Sequence, residues 1–300
     1  MSADQHDHTP DLSGKAAKTE KRWVAEPRDV LRVRPGFRLS EVDASSTPGF
    51  DGDQAMAEKY VDSHADELAD LQEQLWAESK FGGTRRVLLI LQAMDTAGKG
   101  GIIRHVVGNF DPQGVSIHAF KAPTAEERAH HFLWRVRREL PDAGMIGVFD
   151  RSHYEDVLIH RVRGLSTLEV VEGRYAEITE FEKEIVATDT RVIKVMLHID
   201  SDQQKKRLTD RLERPEKHWK YNPGDVDERM HWEAYQEAYQ IALERTSTDE
   251  APWFVVPANH KWYARVAVQR LLLTALRDMD PQWPLADFDV EVEKGRLAAT

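Results

Sequence analysis

The chain has 300 residues, 41% hydrophobic and 31% charged, with a formal net charge of -11 and no cysteine. That length suits one large α/β domain with appendages, or at most two domains. The composition excludes disulfides, thiolate metal sites and thiol nucleophiles, and its acidity argues against non-specific nucleic-acid binding, which needs a broad positive surface.

No apolar run reaches the roughly 18–20 residues that span a bilayer, and residues 1–10 are polar rather than leader-like, so we expect a cytoplasmic protein without a membrane partner. Residues 1–28 mix His, Asp, Lys, Ser and Gly with no apolar period and read as a disordered tail. Residues 29–50, with Pro35-Gly36 and Pro48-Gly49, read as an exposed extended arm that would serve assembly. Met56, Tyr60, His64, Leu68, Leu71 and Leu75 recur at helical spacing and predict one long helix over 53–80, completing a leading unit 29–80.

Strand and helix then alternate through a core over 81–280. Residues 87–91 are a continuous apolar run, the mark of a strand covered on both faces, and 99–110 read as the helix after a glycine loop. Residues 115–120 form a second strand. Thr124 and Glu127 make a capping box for a helix whose Ala129, Phe132, Leu133, Val136 and Leu140 lie on one stripe. Residues 145–149 form a third strand ending in Asp150, 168–188 a long helix, 192–199 a fourth strand, and Ser201 with Gln204 caps the next helix. Residues 253–257 make a fifth strand and 260–278 the last core helix, leaving 281–300 as a C-terminal tail. This alternation implies an α/β fold with a mostly parallel sheet and helices on both faces.

The stretch Gln92-Ala-Met-Asp-Thr-Ala-Gly-Lys-Gly-Gly101 lies between strand and helix, the setting of a P-loop, where backbone N–H groups and a lysine hold phosphate oxygens. Thr96, Ala97, Gly98, Lys99, Gly100 and Gly101 are the candidate phosphate-binding residues. Against G-x-x-x-x-G-K-[ST], Ala93 replaces the first glycine and Gly100 replaces the hydroxyl that normally helps to bind magnesium. For the loop alone, a plain glycine turn with a solvated Lys99 stays open. Asp95 within the loop and Asp150 at the end of the third strand are the carboxylates that would supply the missing oxygen, because functional groups gather at the carboxyl ends of parallel strands. Asp150 taken alone also fits a cap for the segment starting at Ser152. Arg151 would clamp a moving phosphoryl group opposite Lys99, its alternative being a salt bridge to Glu155. His153 and Tyr154 read as packing or substrate-shaping groups.

Residues 205–220 carry seven Lys or Arg against three acids in an otherwise acidic chain. Arg207, Arg211 and Arg214 would share one helix face, forming a mobile lid near 205–225 or a polyanion track; a solvated charged face is the alternative. His6-Asp7-His8 and His130-His131 lack ligand spacing and a third donor, so no metal is assigned to them.

Taken together, the loop above, Asp111-Pro-Gln-Gly114, Phe120-Lys-Ala-Pro-Thr124, Phe132-Leu-Trp-Arg135, Phe149-Asp-Arg-Ser-His-Tyr-Glu-Asp-Val-Leu158 and Ala251-Pro-Trp-Phe-Val-Val-Pro-Ala-Asn-His-Lys261 resemble the polyphosphate kinase 2 family over about residues 30–280. Residues 154–158 and Lys220-Tyr-Asn-Pro-Gly-Asp225 are most similar to its class III branch. The resemblance implies a thymidylate-kinase-like P-loop core with a helical lid, acting with Mg2+ on inorganic polyphosphate and on AMP and ADP. It places catalytic roles on Asp95, Lys99, Asp150 and Arg151, metal binding on Asp95 and Asp150, and polyphosphate contacts on lid residues such as Arg207 and Arg211. It also implies a homo-oligomer, dimer or tetramer, and leaves guanine nucleotides open as acceptors. Two departures, Ala93 for a glycine and Asn259 for an aspartate, do not touch the phosphate chemistry directly. An ATP-dependent nucleoside monophosphate kinase and a non-catalytic polyphosphate- or nucleotide-binding protein are the alternative functions.

Overall fold

The structure, a computed structural model, describes residues 16–300. Five strands, β1 (Arg86–Ala93), β2 (Val115–Ala119), β3 (Ile146–Asp150), β4 (Thr190–His198) and β5 (Trp253–Pro257), form one sheet in the order β2-β3-β1-β4-β5. Every pairing is parallel, with Leu91 opposite Asp150 and Ala93 opposite Leu197. The chain leaves β1 toward one edge and later crosses to the other, so the strand order reverses at β1, where open α/β sheets place ligands.

The strands alternate between two cores. Val87, Leu89 and Leu91 pack with the helices Gln54–Ser63, Ala65–Ser79 and Lys261–Met279. Leu88 and Ile90 face the opposite cluster, which includes Phe149, Tyr175, Phe181 and Trp253 and is covered by the helices Leu168–Val186 and Trp232–Thr246. Burial on both faces explains why these strands read as unbroken apolar runs.

Several boundaries differ from the sequence reading. The helix expected over 53–80 is two, broken at His64, whose buried ring stacks on Tyr60 at 4.1 Å and whose Nδ1 lies 3.0 Å from the Tyr60 carbonyl. The helix after the loop ends at His105 and continues as a 3-10 turn, Val107–Asn109. The Thr124–Glu127 capping box forms, but its helix stops at Arg128; a turn intervenes before Trp134–Arg138, bringing Leu133 and Val136 into the core. Asp200, not Ser201, caps the Ser201–Glu213 helix by accepting from the Gln203 N–H at 2.7 Å.

The ends also differ from expectation. Residues 1–15 of the expected tail lie outside the described residues, whereas Ala16–Glu20 is a helix and Trp23 is buried, bridged to Phe50. Burial pushes the Glu20 carboxyl up, but the His64 ring 3.4 Å away and hydrogen bonds from Arg270 and Arg277 outweigh it and hold the group well below the usual carboxylate range. The arm is exposed along much of its length but anchored at Leu31–Val33: Val33 donates to the Trp253 carbonyl at 2.9 Å and Val255 to that of Leu31 at 2.9 Å, so this part covers the free edge of β5. The segment beyond 281 carries a solvated helix, Val290–Ala298, capped by Asp289. Among the described residues no helix is long and apolar enough to cross a membrane.

Candidate active site

The loop after β1 and the turn after β3 lie side by side because those strands pair directly. Both turns hold a non-glycine residue in the left-handed region, Thr96 at φ 68 and Arg151 at φ 65, while Gly98 takes φ 125. Such backbone costs roughly 1–3 kcal/mol per non-glycine residue and persists where the surroundings enforce it, commonly at functional sites. Here the Arg151 N–H donates to the Leu91 carbonyl at 3.0 Å, which locks the turn to β1. Ser152, rather than Asp150, caps the following turn by accepting from the Tyr154 N–H at 3.2 Å, and Gln92 donates to the same hydroxyl at 3.2 Å. Asp150 is thereby left out of capping. At Gly100 an added Cβ would meet nothing within 4 Å, so packing does not require glycine there.

The four central side chains converge. Arg151 donates to Asp95 Oδ1 at 2.8 Å, and Lys99 Nζ lies 3.8 Å from Asp150 Oδ1, an ion pair too long for a hydrogen bond. Asp150 Oδ1 and Thr96 Oγ1 are buried without a hydrogen-bond partner, orphans of the kind that mark a site built for something else. Burial lowers the Arg151 guanidinium, but Glu155 and Asp95 outweigh it and raise its pKa, which fixes its positive charge. Glu155 is pushed up by burial against the pull of Arg151 and Lys99.

These groups open into a cavity of about 590 Å³ whose lining includes Thr96, Ala97, Gly98, Gly100 and Gly101. Ten lining residues are Lys or Arg and three are Asp, a reversal of the balance in the whole chain. A smaller recess of about 70 Å³ backs onto Asp95 and Arg151 and is walled by Glu155, Leu158, Tyr235 and Tyr239.

The basic segment divides in a way the sequence did not foretell. Arg211 lines the cavity while donating to Asp225 and to the Lys220 carbonyl, both at 3.0 Å, and Lys217 and Lys220 line it too. Arg207 touches the cavity wall but is not a free lid arginine: it is 5% exposed, and its guanidinium is committed to four backbone carbonyls. Burial lowers its pKa to about 10, which still leaves it charged at neutral pH. Arg214 lies beyond the last residue of that helix, Glu213. Sequence reasoning missed Arg104, Lys121, Lys261 and Arg265, all cavity residues. Two of them had a signal: Lys121 follows β2 and Lys261 follows β5, at the carboxyl ends where ligands gather. His6-Asp7-His8 lies outside the described residues; His131 bonds Glu177 at 2.6 Å and His130 stacks on Trp134.

The family description "Polyphosphate kinase 2 (PPK2)" matches residues 52–284, a span that holds every side chain of this cavity. The chain belongs to the polyphosphate kinase 2 family. It is 42% identical over 255 residues, 84% of its length and 94% of the relative's, to an AMP/ADP-polyphosphate phosphotransferase of Meiothermus ruber. It is 41% identical over 234 residues to an ADP-polyphosphate phosphotransferase of Rhodopseudomonas palustris, covering 74% of this chain and 80% of that one. A crystal structure of Polyphosphate Kinase 2 from Arthrobacter aurescens TC1 superposes with a TM-score of 0.91 at 55% identity, over 93% of this chain and 98% of the other. The five-stranded parallel sheet with flanking helices is thus the P-loop kinase-like fold of polyphosphate kinase 2, and Arg207, Asp210, Arg211, Lys217 and Lys220 of the helix Ser201–Glu213 and the 3-10 turn after it line its cavity.

Proposed function

We propose that this polyphosphate kinase 2 transfers phosphoryl groups from inorganic polyphosphate to AMP and ADP, giving ADP and ATP. The observation that carries the reading is the cavity: ten cationic residues around an aspartate pair suit a polyanionic donor, in a protein whose net charge is -11. The printed activities of its relatives point the same way.

Phosphoryl transfer asks mainly for positioning and charge neutralisation, with an in-line approach of acceptor and leaving oxygen. In this reading Lys99 and the loop N–H groups without a backbone acceptor, those of Thr96 and Gly98 among them, bind donor phosphate oxygens, whereas the Ala97 and Gly101 N–H groups close back on the Met94 and Gly98 carbonyls. Arg151, fixed by Asp95, offsets charge on the transferring group. Arg211, Lys217 and Lys220 extend the positive wall for the rest of the chain. Asp95 and Asp150 fit a magnesium ion: their oxygens are hard donors, and the buried, unpartnered Oδ1 of Asp150 is an acceptor a cation satisfies. When bound, such an ion neutralises phosphate charge as the bond breaks. An acceptor phosphate is already ionised at neutral pH, so no side chain is required as a strong base.

The reading extends to a cytoplasmic setting, which the absence of cysteine suits, and to a dimer or tetramer in solution, to be read by light scattering. The deciding experiment incubates the protein with AMP, polyphosphate and magnesium but no ATP. ADP followed by ATP is the expected result. Product formed only when ATP is supplied overturns it in favour of an ATP-dependent nucleoside monophosphate kinase, and parallel runs with GMP and GDP read base preference.

A further inference from the structure

The helix Ser201–Glu213 meets the phosphate loop through two side chains one turn apart. Gln204 donates from Nε2 to the Asp95 carbonyl at 3.2 Å. Arg207 donates from Nη1 to the carbonyls of Thr96 at 3.0 Å and Ala97 at 2.8 Å. Three consecutive loop carbonyls are therefore drawn toward one helix. In a trans peptide C=O and N–H point in opposite directions, and the chain has no cis bond among the described residues, so the N–H groups of Thr96, Ala97 and Gly98 are turned away from that helix. The Ala97 N–H closes back on the Met94 carbonyl at 3.2 Å, while those of Thr96 and Gly98 have no partner among the described residues. Pulling the carbonyls one way aims the free donors the other way.

Arg207 also donates from Nη2 to the carbonyls of Ala258 at 2.6 Å and Asn259 at 3.0 Å. All four Nη hydrogens are thereby occupied, and Nε is buried without a partner. A guanidinium held in that way bridges the loops after β1 and β5 and has no donor free for a phosphate chain. Gln204 is itself oriented from the far side of the lid: its Oε1 accepts from Arg229 Nη1 at 3.0 Å, and Arg229 is anchored on the Ser201 carbonyl at 2.7 Å and hydroxyl at 2.8 Å.

We propose that Gln204 and Arg207 are positioning residues that brace the phosphate loop in its anion-binding conformation, with Arg229 connecting that brace to the helix Gly224–Arg229. This deepens the proposed function and rests on it for its kinetic consequence, whereas its structural consequence stands alone. A bracing role separates from direct phosphate binding, because Arg207→Lys keeps the charge but cannot span four carbonyls.

The test compares wild type with Arg207→Lys, Arg207→Ala, Gln204→Met and Arg229→Ala. Loop geometry is read by hydrogen exchange over residues 92–101, and kinetics with short and long polyphosphate. We expect Arg207→Lys and Gln204→Met to speed exchange about tenfold at the Ala97 N–H, the loop donor that closes on the Met94 carbonyl. Their kcat should fall roughly 10–100-fold for both donors, the scale of a misplaced reacting group, with KM within about threefold. Arg229→Ala should move both readouts in the same direction but less, and guanidinium added to Arg207→Ala should restore part of its kcat. Unchanged exchange in Arg207→Lys and Gln204→Met overturns the brace. So does a rise in KM confined to long polyphosphate with kcat preserved, since that marks Arg207 as a chain ligand. Should wild type show no polyphosphate-dependent turnover, the proposed function fails while the exchange comparison still decides the brace. Gln204→Met, which removes two hydrogen bonds and no charge, covers the case in which Arg207 variants do not fold.

Discussion

Two groups of charges in this molecule are arranged on opposite principles. Beneath the sheet, Lys194 Nζ meets Glu182 Oε2 at 2.5 Å, the Thr246 carbonyl at 2.7 Å and the Tyr154 hydroxyl at 3.0 Å, with both ionic side chains essentially sealed from solvent. Burial pushes Glu182 up, but Lys194 and His153 outweigh it and hold the carboxyl below its ordinary range, so it stays ionised. At the cavity, Lys99 and Asp150 stand 3.8 Å apart and an Asp150 oxygen has no hydrogen-bond partner. Satisfied charge holds elements in register; unsatisfied charge is what remains available for a ligand.

Substitutions can break this contrast from either side, and the largest expected effect falls on the cavity. Asp150→Asn keeps the shape but removes the charge, so kcat should fall by about 10³-fold or more while Tm stays within about 2 °C, by coupled assay and calorimetry. Lys194→Met should do the reverse, costing about 3–5 kcal/mol in urea unfolding because it strands a buried carboxylate. Adding Glu182→Leu to that variant should recover part of the loss.

Glu20 is a peripheral member of the satisfied group. Its folded pKa is depressed, so its contribution is present above the unfolded value of about 4.3 and is lost as pH falls through that value toward the folded one. Glu20→Gln should therefore cost about 1–2 kcal/mol at pH 7 and flatten the acid limb of stability against pH. Equal acid limbs in the two proteins would refute this. The smallest effect is expected at Gly100→Ser, within about 0.5 kcal/mol of wild type because nothing opposes the new side chain. Its hydroxyl supplies an oxygen that the loop lacks, and half-maximal activity should then come at lower magnesium concentration.

Much of this was legible in the sequence because it rests on local pattern. Residues 87–91 and 253–257 announce buried strands by unbroken apolar runs, and the loop lysine and two aspartates announce themselves by position relative to those strands. What stayed hidden depends on what lies across a gap. Arg207 shares a helical face with Arg211, and nothing in that spacing says that one meets four carbonyls while the other meets a cavity. Lys194 is masked within a strand that otherwise reads apolar, since its partners come from Glu182 and Thr246 on other elements. His64 carries the right helical spacing, yet its buried ring ends one helix and starts the next.

The strap of Leu31–Val33 over β5 sets a clock on biosynthesis. Arg32 bridges to Phe254, so this edge cannot close until β5 has been made. At ordinary translation rates the strap waits roughly 10–40 s for its partner strand. During that interval Leu31 and Val33, buried in the finished protein, have no β5 to cover. A segment made before the whole sheet is therefore secured only after its last strand, and nascent chains are open to wrong pairing at this edge until β5 emerges.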